Sequence, residues 1–366
     1  MNRRQFIHIA SAGAASLIMT RLPAIGSAPA NAIDLARWIQ PVPERAIFRE
    51  PGYHVWCGTM VRGRDGRCHL YYSRWRASEG FFAWVTHSEV AHAVADDPFG
   101  PYLPVDVALP PRGPDFWDGH CTHNPAVMES GGRYYLYYMG NRGDRRPTKG
   151  LNFTHRNNQR IGVAVADSPD GPWRRFDKPL IDTTDGFHDA LCCANPSVTR
   201  RPDGSFLMIY KAVAKQRALP FGGPVTHVVA TSRDPAGPFT KIDAPVFTKT
   251  DVDFPAEDPC IWLQENKYMA VVKDMKGFFT GAGRSLALME SADGIEWNPA
   301  QNTLVSKTEY TTTAGVRVSL HALERPQVWL HHGEPAVLFC AASIDKQPGG
   351  GETFNVAIPL HRPPPK

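Results

Sequence analysis

The sequence has no long apolar run. Its only extended apolar stretch, ending at Leu17-Ile18-Met19, is interrupted by Gly and Ala and is too short for a bilayer, so no membrane span is expected. It has no block of basic residues either. The 40 Lys and Arg are interspersed with 36 Asp and Glu for a net charge of +4, a balance that points away from nucleic acid and from a membrane surface. No C-x-x-C pair occurs among the cysteines at 57, 68, 121, 192, 193, 260 and 340, so no metal-ligating residue is expected from spacing. Their odd number argues against a full disulfide framework. They read as small, buried apolar side chains. Helical periodicity is absent beyond the first thirty-odd residues, which leaves an all-β chain.

What is present begins with an address. Asn2-Arg3-Arg4-Gln5-Phe6-Ile7 reads as a twin-arginine n-region, and Ala30-Asn31-Ala32 as a cleavage site. Residues 1–32 are therefore expected to be a signal peptide, 33–50 a lead-in and 51–362 a single domain in the periplasm or outside the cell. No Cys follows the apolar stretch, so no lipid anchor is expected.

The domain repeats itself. Phe254-Pro255-Ala256-Glu257-Asp258-Pro259-Cys260-Ile261-Trp262 has relatives in Thr122-His123-Asn124-Pro125, Ala194-Asn195-Pro196 and Leu323-Glu324-Arg325-Pro326, and a degenerate copy in Trp56-Cys57-Gly58-Thr59. Each is followed by a Gly- or Asn-containing turn and a second apolar run, marked by Tyr71, Tyr137, Tyr210, Val272 and Phe339. A third run then ends in a turn such as Ser168-Pro169-Asp170-Gly171-Pro172-Trp173. Outer strands are expected at Pro179-Leu180-Ile181, Pro245-Val246-Phe247 and Thr303-Leu304-Val305. Four strands in each of five units predict a five-bladed β-propeller, with Phe354-Asn355-Val356-Ala357-Ile358 and the region 38–49 completing the last blade. Inserts at 140–160, 216–224 and 276–283 are expected to wall a central pocket.

In a propeller the residues opening each inner strand converge on the axis. They comprise His54, Trp56 and Cys57; Trp117, Asp118, His120, His123 and Asn124; His188, Asp189 and Asn195; Glu257 and Asp258; and His321, Glu324 and Arg325. Facing carboxylates suit acetal hydrolysis, in which one carboxyl protonates the leaving oxygen and another activates water or attacks carbon. Glu257, Asp258, Asp118 and Glu324 are the candidate catalytic groups. His54, Trp56, Trp117, His120, His123, His188, Asp189, Lys273, His321 and Arg325 are the candidate substrate-binding groups. Asn-Pro and Asp-Pro are also ordinary strand-start turns, so Asn124 and Asn195 read equally well as structural. Asp118 and Asp189 read equally well as turn residues. The adjacent pair Glu257-Asp258 is costly to bury without purpose.

The repeats, the carboxylate-Pro strand starts and the Gly-Pro-aromatic turns together resemble the five-bladed glycoside hydrolases of families 43, 62, 32, 68 and 117. The resemblance implies an oligosaccharide substrate and makes Glu257, two residues before Pro259, the general acid; Glu324, two before Pro326, matches in the same way. It fails at Cys57-Gly58 and at Asn124, where the family pattern has Asp, so the base would come from Asp118, Asp189, Glu324 or a His. A phosphorylase of the family 130 kind, binding phosphate through Arg160, Lys211 and Lys273, and a non-catalytic sugar-binding propeller are the alternatives. No cofactor is expected beyond a structural divalent cation that the central channel could hold.

Overall fold

The structure is a computed structural model that describes residues 32–146, 148–345 and 351–364. The twin-arginine segment lies outside the described residues.

Five antiparallel four-stranded sheets stand around one axis. Their inner strands are Tyr53–Arg62, Cys121–Ser130, Cys192–Arg200, Ala256–Gln264 and Ala322–His331. Second strands follow at Cys68–Arg76, Arg133–Asn141, Phe206–Val213, Lys267–Asp274 and Glu334–Ser343. The third strands are Glu89–Ala95, Arg160–Ala166, Val225–Ser232, Ser285–Ser291 and Thr353–Pro359. Inner and second strands are buried on both faces and read as near-continuous apolar runs, because each sheet packs between two others. Outer strands are half exposed.

The outer strand of blade five comes from the start of the domain. Ile47–Phe48 pairs with Val356 and Asn355 of the last strand and closes the ring. The lead-in therefore belongs to the propeller. The outer strands start earlier than expected, at Arg174–Arg175, Thr240–Val246 and Asn298–Lys307, while Ile181 forms only an isolated bridge to Ile161.

One irregularity recurs in every inner strand. Register slips between Trp56 and Thr59, His123 and Ala126, Ala194 and Ser197, Glu257 and Cys260, and Glu324 and Gln327. Each slip is a β-bulge carrying one unpaired residue, a device that re-aims neighbouring side chains. This register also corrects the repeat markers: Tyr71 and Tyr137 are matched by Ile209 and Val271, one residue before Tyr210 and Val272.

In blades two to five the bulge contains proline. Blade one has Gly58 instead, and its N–H donates to Asn355 Oδ1 at 3.2 Å. Proline has no N–H to give, and even a Cβ there would lie 2.9 Å from Asn355 Nδ2. The departure at Cys57-Gly58 is thus set by packing against the closing blade.

Candidate active site

The residue at the head of each bulge has a left-handed backbone: Cys57 (φ 58°), Asn124 (53°), Asn195 (52°), Asp258 (58°) and Arg325 (54°). Asn and Asp tolerate this conformation, whereas Cys and Arg adopt it at a cost. Bonds link the five side chains in order around the axis, from Cys57 to Arg325. The Cys57 thiol donates to Asn124 Oδ1 (2.9 Å), the Asn124 amide to Asn195 Oδ1, and the Asn195 amide to Asp258 Oδ1 (2.6 Å). Arg325 closes on Asp258 with its guanidinium at 3.2 Å and its backbone N–H at 3.3 Å. Burial pushes the Cys57 thiol up to about 12, so it remains a donor. Burial and then Glu257 push the Asp258 carboxyl upward, against the pull of Arg325. Asp258 and Arg325 are therefore mainly members of this linked set, which forms the floor of a pocket.

The residues one step earlier in blades one, two, four and five rise above that floor. Trp56, His123, Glu257 and Glu324 line a cavity of about 150 Å³ together with Trp75, Phe81, Trp84 and Lys211. Blade three has Ala194 at this step. Its register partner Lys211 extends over the gap and reaches Glu257 Oε1 at 2.8 Å. Lys273, paired in register with Glu257, bridges Glu257 Oε2 (3.2 Å) and Glu324 Oε1 (2.7 Å). Those two bonds keep the bridged carboxylate oxygens no more than 5.9 Å apart.

Burial pushes the Glu257 carboxyl up, but the two lysines outweigh it and hold the group well below the usual carboxylate range. Glu257 is consequently an anion in the open pocket, which runs against its expected role as general acid. An aromatic wall from blade one lines the same cavity as the carboxylates. Phe81 and Trp84 belong to the segment joining its second and third strands, and Phe81 lies edge-on to Trp56 and Trp75 at 5.5 and 5.8 Å. His123 packs beneath this wall, 5.0 Å from Trp84, with Ser88 Oγ at 2.7 Å from its Nδ1. Burial first, then Arg325 and Lys211, hold it far below the ordinary histidine value, so it is neutral.

Several expected site residues lie elsewhere. Asp118 is fully buried, bonded to Arg112 (2.8 Å), Arg175 (3.2 Å) and the Tyr138 hydroxyl (2.7 Å). Asp189 repeats this one blade on with Lys241 and the Tyr210 hydroxyl, and Glu50 one blade back with Arg74 and the Tyr72 hydroxyl. These three carboxylates tie the approach to each inner strand onto its own second strand. Trp117 stacks on Tyr138 at 5.6 Å as part of that knot.

His188 pairs with Asp243 at 2.9 Å on the outer side. His120 accepts the Gly143 N–H in a neighbouring loop. His54 is buried behind the wall, 5.3 Å from Trp75 and 3.3 Å from Thr353 Oγ1. His321 also lies outside the residues lining the pocket, as do the inserts 140–160, 216–224 and 276–283. Arg160 pairs with Asp182 instead of facing the axis. Sequence reasoning missed Trp75, Phe81 and Trp84. The aromatic run Phe81-Phe82-Ala83-Trp84, placed between the second and third strands of blade one, was the available signal.

No known family matches the sequence, and no curated protein is similar enough to match. Solved structures do match in fold. A family 117 glycoside hydrolase of the marine bacterium Zobellia galactanivorans superposes with a TM-score of 0.59 at 16% identity, covering 88% of this chain and 89% of that one. A thermostable family 43 glycoside hydrolase gives 0.58 at 13%, covering 90% and 97%. An α-L-arabinofuranosidase from Lactobacillus brevis gives 0.54 at 10%, covering 91% and 99%. The chain shares the five-bladed propeller of these enzymes.

Proposed function

We propose that this protein is a glycoside hydrolase, exported by the twin-arginine route, that removes sugar units from the ends of plant or algal oligosaccharides. The observation that carries the reading is the Glu257–Lys273–Glu324 bridge above the pocket floor, in a cavity that also has an aromatic wall. Glycosidic hydrolysis needs two carboxyl groups on either side of the anomeric centre, and a sugar ring presents C–H faces that stack on Trp and Phe. The five linked side chains form the floor across the axis, so the pocket suits a chain end better than a passing chain.

Glu257, an anion between two lysines, acts as the base that takes a proton from water or as the nucleophile at the anomeric carbon. Glu324 shares its lysine with Glu257 and, among the described residues, makes that one ion pair alone, so it is assigned the protonated role. It delivers the proton to the leaving oxygen as the glycosidic C–O bond breaks. Asp258, Lys273 and Arg325 hold this pair in place. The cations Lys211, Lys273 and Arg325 are matched by Glu257, Glu324 and Asp258. No surplus positive charge is left for inorganic phosphate, which favours hydrolysis over phosphorolysis.

The test is a panel of chromogenic aryl glycosides with and without phosphate. Glu257→Gln and Glu324→Gln should each lower kcat by about 10²–10⁴-fold while retaining the fold. Turnover in both variants at the wild-type rate would remove the assignment. Turnover that requires phosphate would favour a phosphorylase, and sugar binding without turnover a lectin-like propeller.

A further inference from the structure

On the face opposite the pocket, at the seam between blades one and two, two buried histidines point at each other. His69 is on the second strand of blade one. His92 is on its third strand, opposite Tyr71, so the two rings are diagonal neighbours on one face of the sheet. The ring planes lie within 9° of parallel with centroids 5.2 Å apart, and with His69 Nδ1 3.0 Å from His92 Nε2 the two rings meet nitrogen to nitrogen. Both are essentially inaccessible, at 0% and 1% exposure.

Their outer nitrogens are each claimed by a carboxylate. Asp65 Oδ1 lies 3.4 Å from His69 Nε2, and Asp106 Oδ1 lies 3.4 Å from His92 Nδ1. A carboxylate oxygen can only accept, so each ring meets its outer carboxylate in the tautomer that carries the proton on the outer nitrogen. The inner nitrogens then face each other as two lone pairs, which repel unless a cation lies between them. A third donor is at hand: Asp170 Oδ1, from the turn after the third strand of blade two, is 3.7 Å from His69 Nδ1. That turn is docked by the Tyr71 hydroxyl on the Pro169 carbonyl and by Trp173 edge-on to Tyr71 at 5.4 Å.

We propose that His69, His92 and Asp170 bind a divalent transition metal of the zinc class, clamping blade one to blade two. With metal–nitrogen bonds of about 2.0–2.1 Å, two nitrogens 3.0 Å apart subtend roughly 95° at the ion, within reach of a distorted tetrahedron. Two imidazoles and one carboxylate are a donor set for zinc. Asp65 and Asp106 supply the outer hydrogen bonds that metal-bound histidines characteristically make. Asp170, 60% exposed, gives the ion a way in, and water completes the coordination. This position differs from the central channel, the place the sequence leaves open for a structural divalent cation. Its ligands are too far apart in the chain for a spacing motif. Among the described residues this is the one group of three such donors close enough to share an ion.

The experiment uses the purified full-length protein stripped with a chelator and titrated calorimetrically with Zn²⁺, with Co²⁺ as a spectroscopic probe. Wild type should bind one equivalent, show d–d absorption with Co²⁺ and gain thermal stability. Glu257→Gln, in the distant pocket, should bind identically. Asp106→Asn should bind about 10–100-fold more weakly, and His92→Gln should lose the site. Asp170→Asn, at an exposed position, keeps the test decisive should His92→Gln fail to fold; it should weaken binding at least tenfold with the circular dichroism unchanged. Absence of saturable binding to wild type overturns the proposal, as does equal affinity in Asp170→Asn and wild type. The first result would mean that the two rings share a proton instead.

Discussion

Replacing Lys273 by Met tests the electrostatic frame of the site. Lys273 is 5% exposed and bonds to Glu257 at 3.2 Å and to Glu324 at 2.7 Å. Methionine keeps much of the stem volume and removes the charge, leaving Lys211 on Glu257 and no lysine on Glu324. Breaking a buried ion pair from one side costs about 3–5 kcal/mol, because the remaining charge stays desolvated, against about 5–15 kcal/mol for a whole domain.

The loss should depend on pH with a definite sign. In the wild type the folded-state value of Glu257 lies below its ordinary 4.5. Glu257 therefore contributes stability that is present above that ordinary value and is lost as pH falls below it. In the variant Glu257 keeps Lys211 but loses one of the two cations that hold it low, so the difference from wild type should be full near pH 7 and shrink as pH falls past that ordinary value toward pH 4. Urea denaturation at both pH values measures this, and Lys273→Met combined with Glu324→Gln should recover part of the loss. A difference below about 1 kcal/mol at both pH values would refute the view that Lys273 holds the two carboxylates.

Asp118→Asn should lower the denaturation midpoint, since Arg175 loses its anion and Arg112 keeps only the exposed Asp177, while leaving kcat within about twofold of wild type; loss of turnover in a folded variant would move Asp118 back to the pocket. Gly58→Ala should cost about 1–3 kcal/mol through its approach to Asn355, read as an earlier urea midpoint. All seven cysteines are free and buried, and burial pushes Cys57 and Cys121 up to about 12 and Cys68 and Cys260 up to about 11. A thiol reagent at pH 8 should therefore find no rapidly reacting group in the folded protein and seven after unfolding.

The propeller was legible because its repeat is written twice over, in apolar runs and in the short stretches that open each inner strand. Those stretches, expected as strand starts, lie on the bulges inside the inner strands. What they did not reveal is that one step separates floor from wall. Asp258 and Arg325 turn into the linked set of five, while Glu257 and Glu324, one residue earlier, face the substrate. Asp118 and Asp189 misled because their role is set by Tyr138 and Tyr210, which lie 20 and 21 residues later and meet them only in the folded blade. Lys211 was visible as a charge in an apolar strand, but its approach to Glu257 depends on Ala194 being small and on blades three and four being adjacent. The histidines at 69 and 92 carry no local signature, since the turn of a different blade completes their environment.

The joining of Ile47–Phe48 to the last strand has a consequence for biosynthesis. The first strand of the propeller pairs with residues some 300 positions later, Asn355 and Val356. A growing chain can build blades one to four in turn, yet blade five and the seam against blade one must wait for the final segment. The fold thus works as a proof of completeness. A truncated product leaves two open sheet edges facing each other, where any quality-control system that senses unpaired strands can find it.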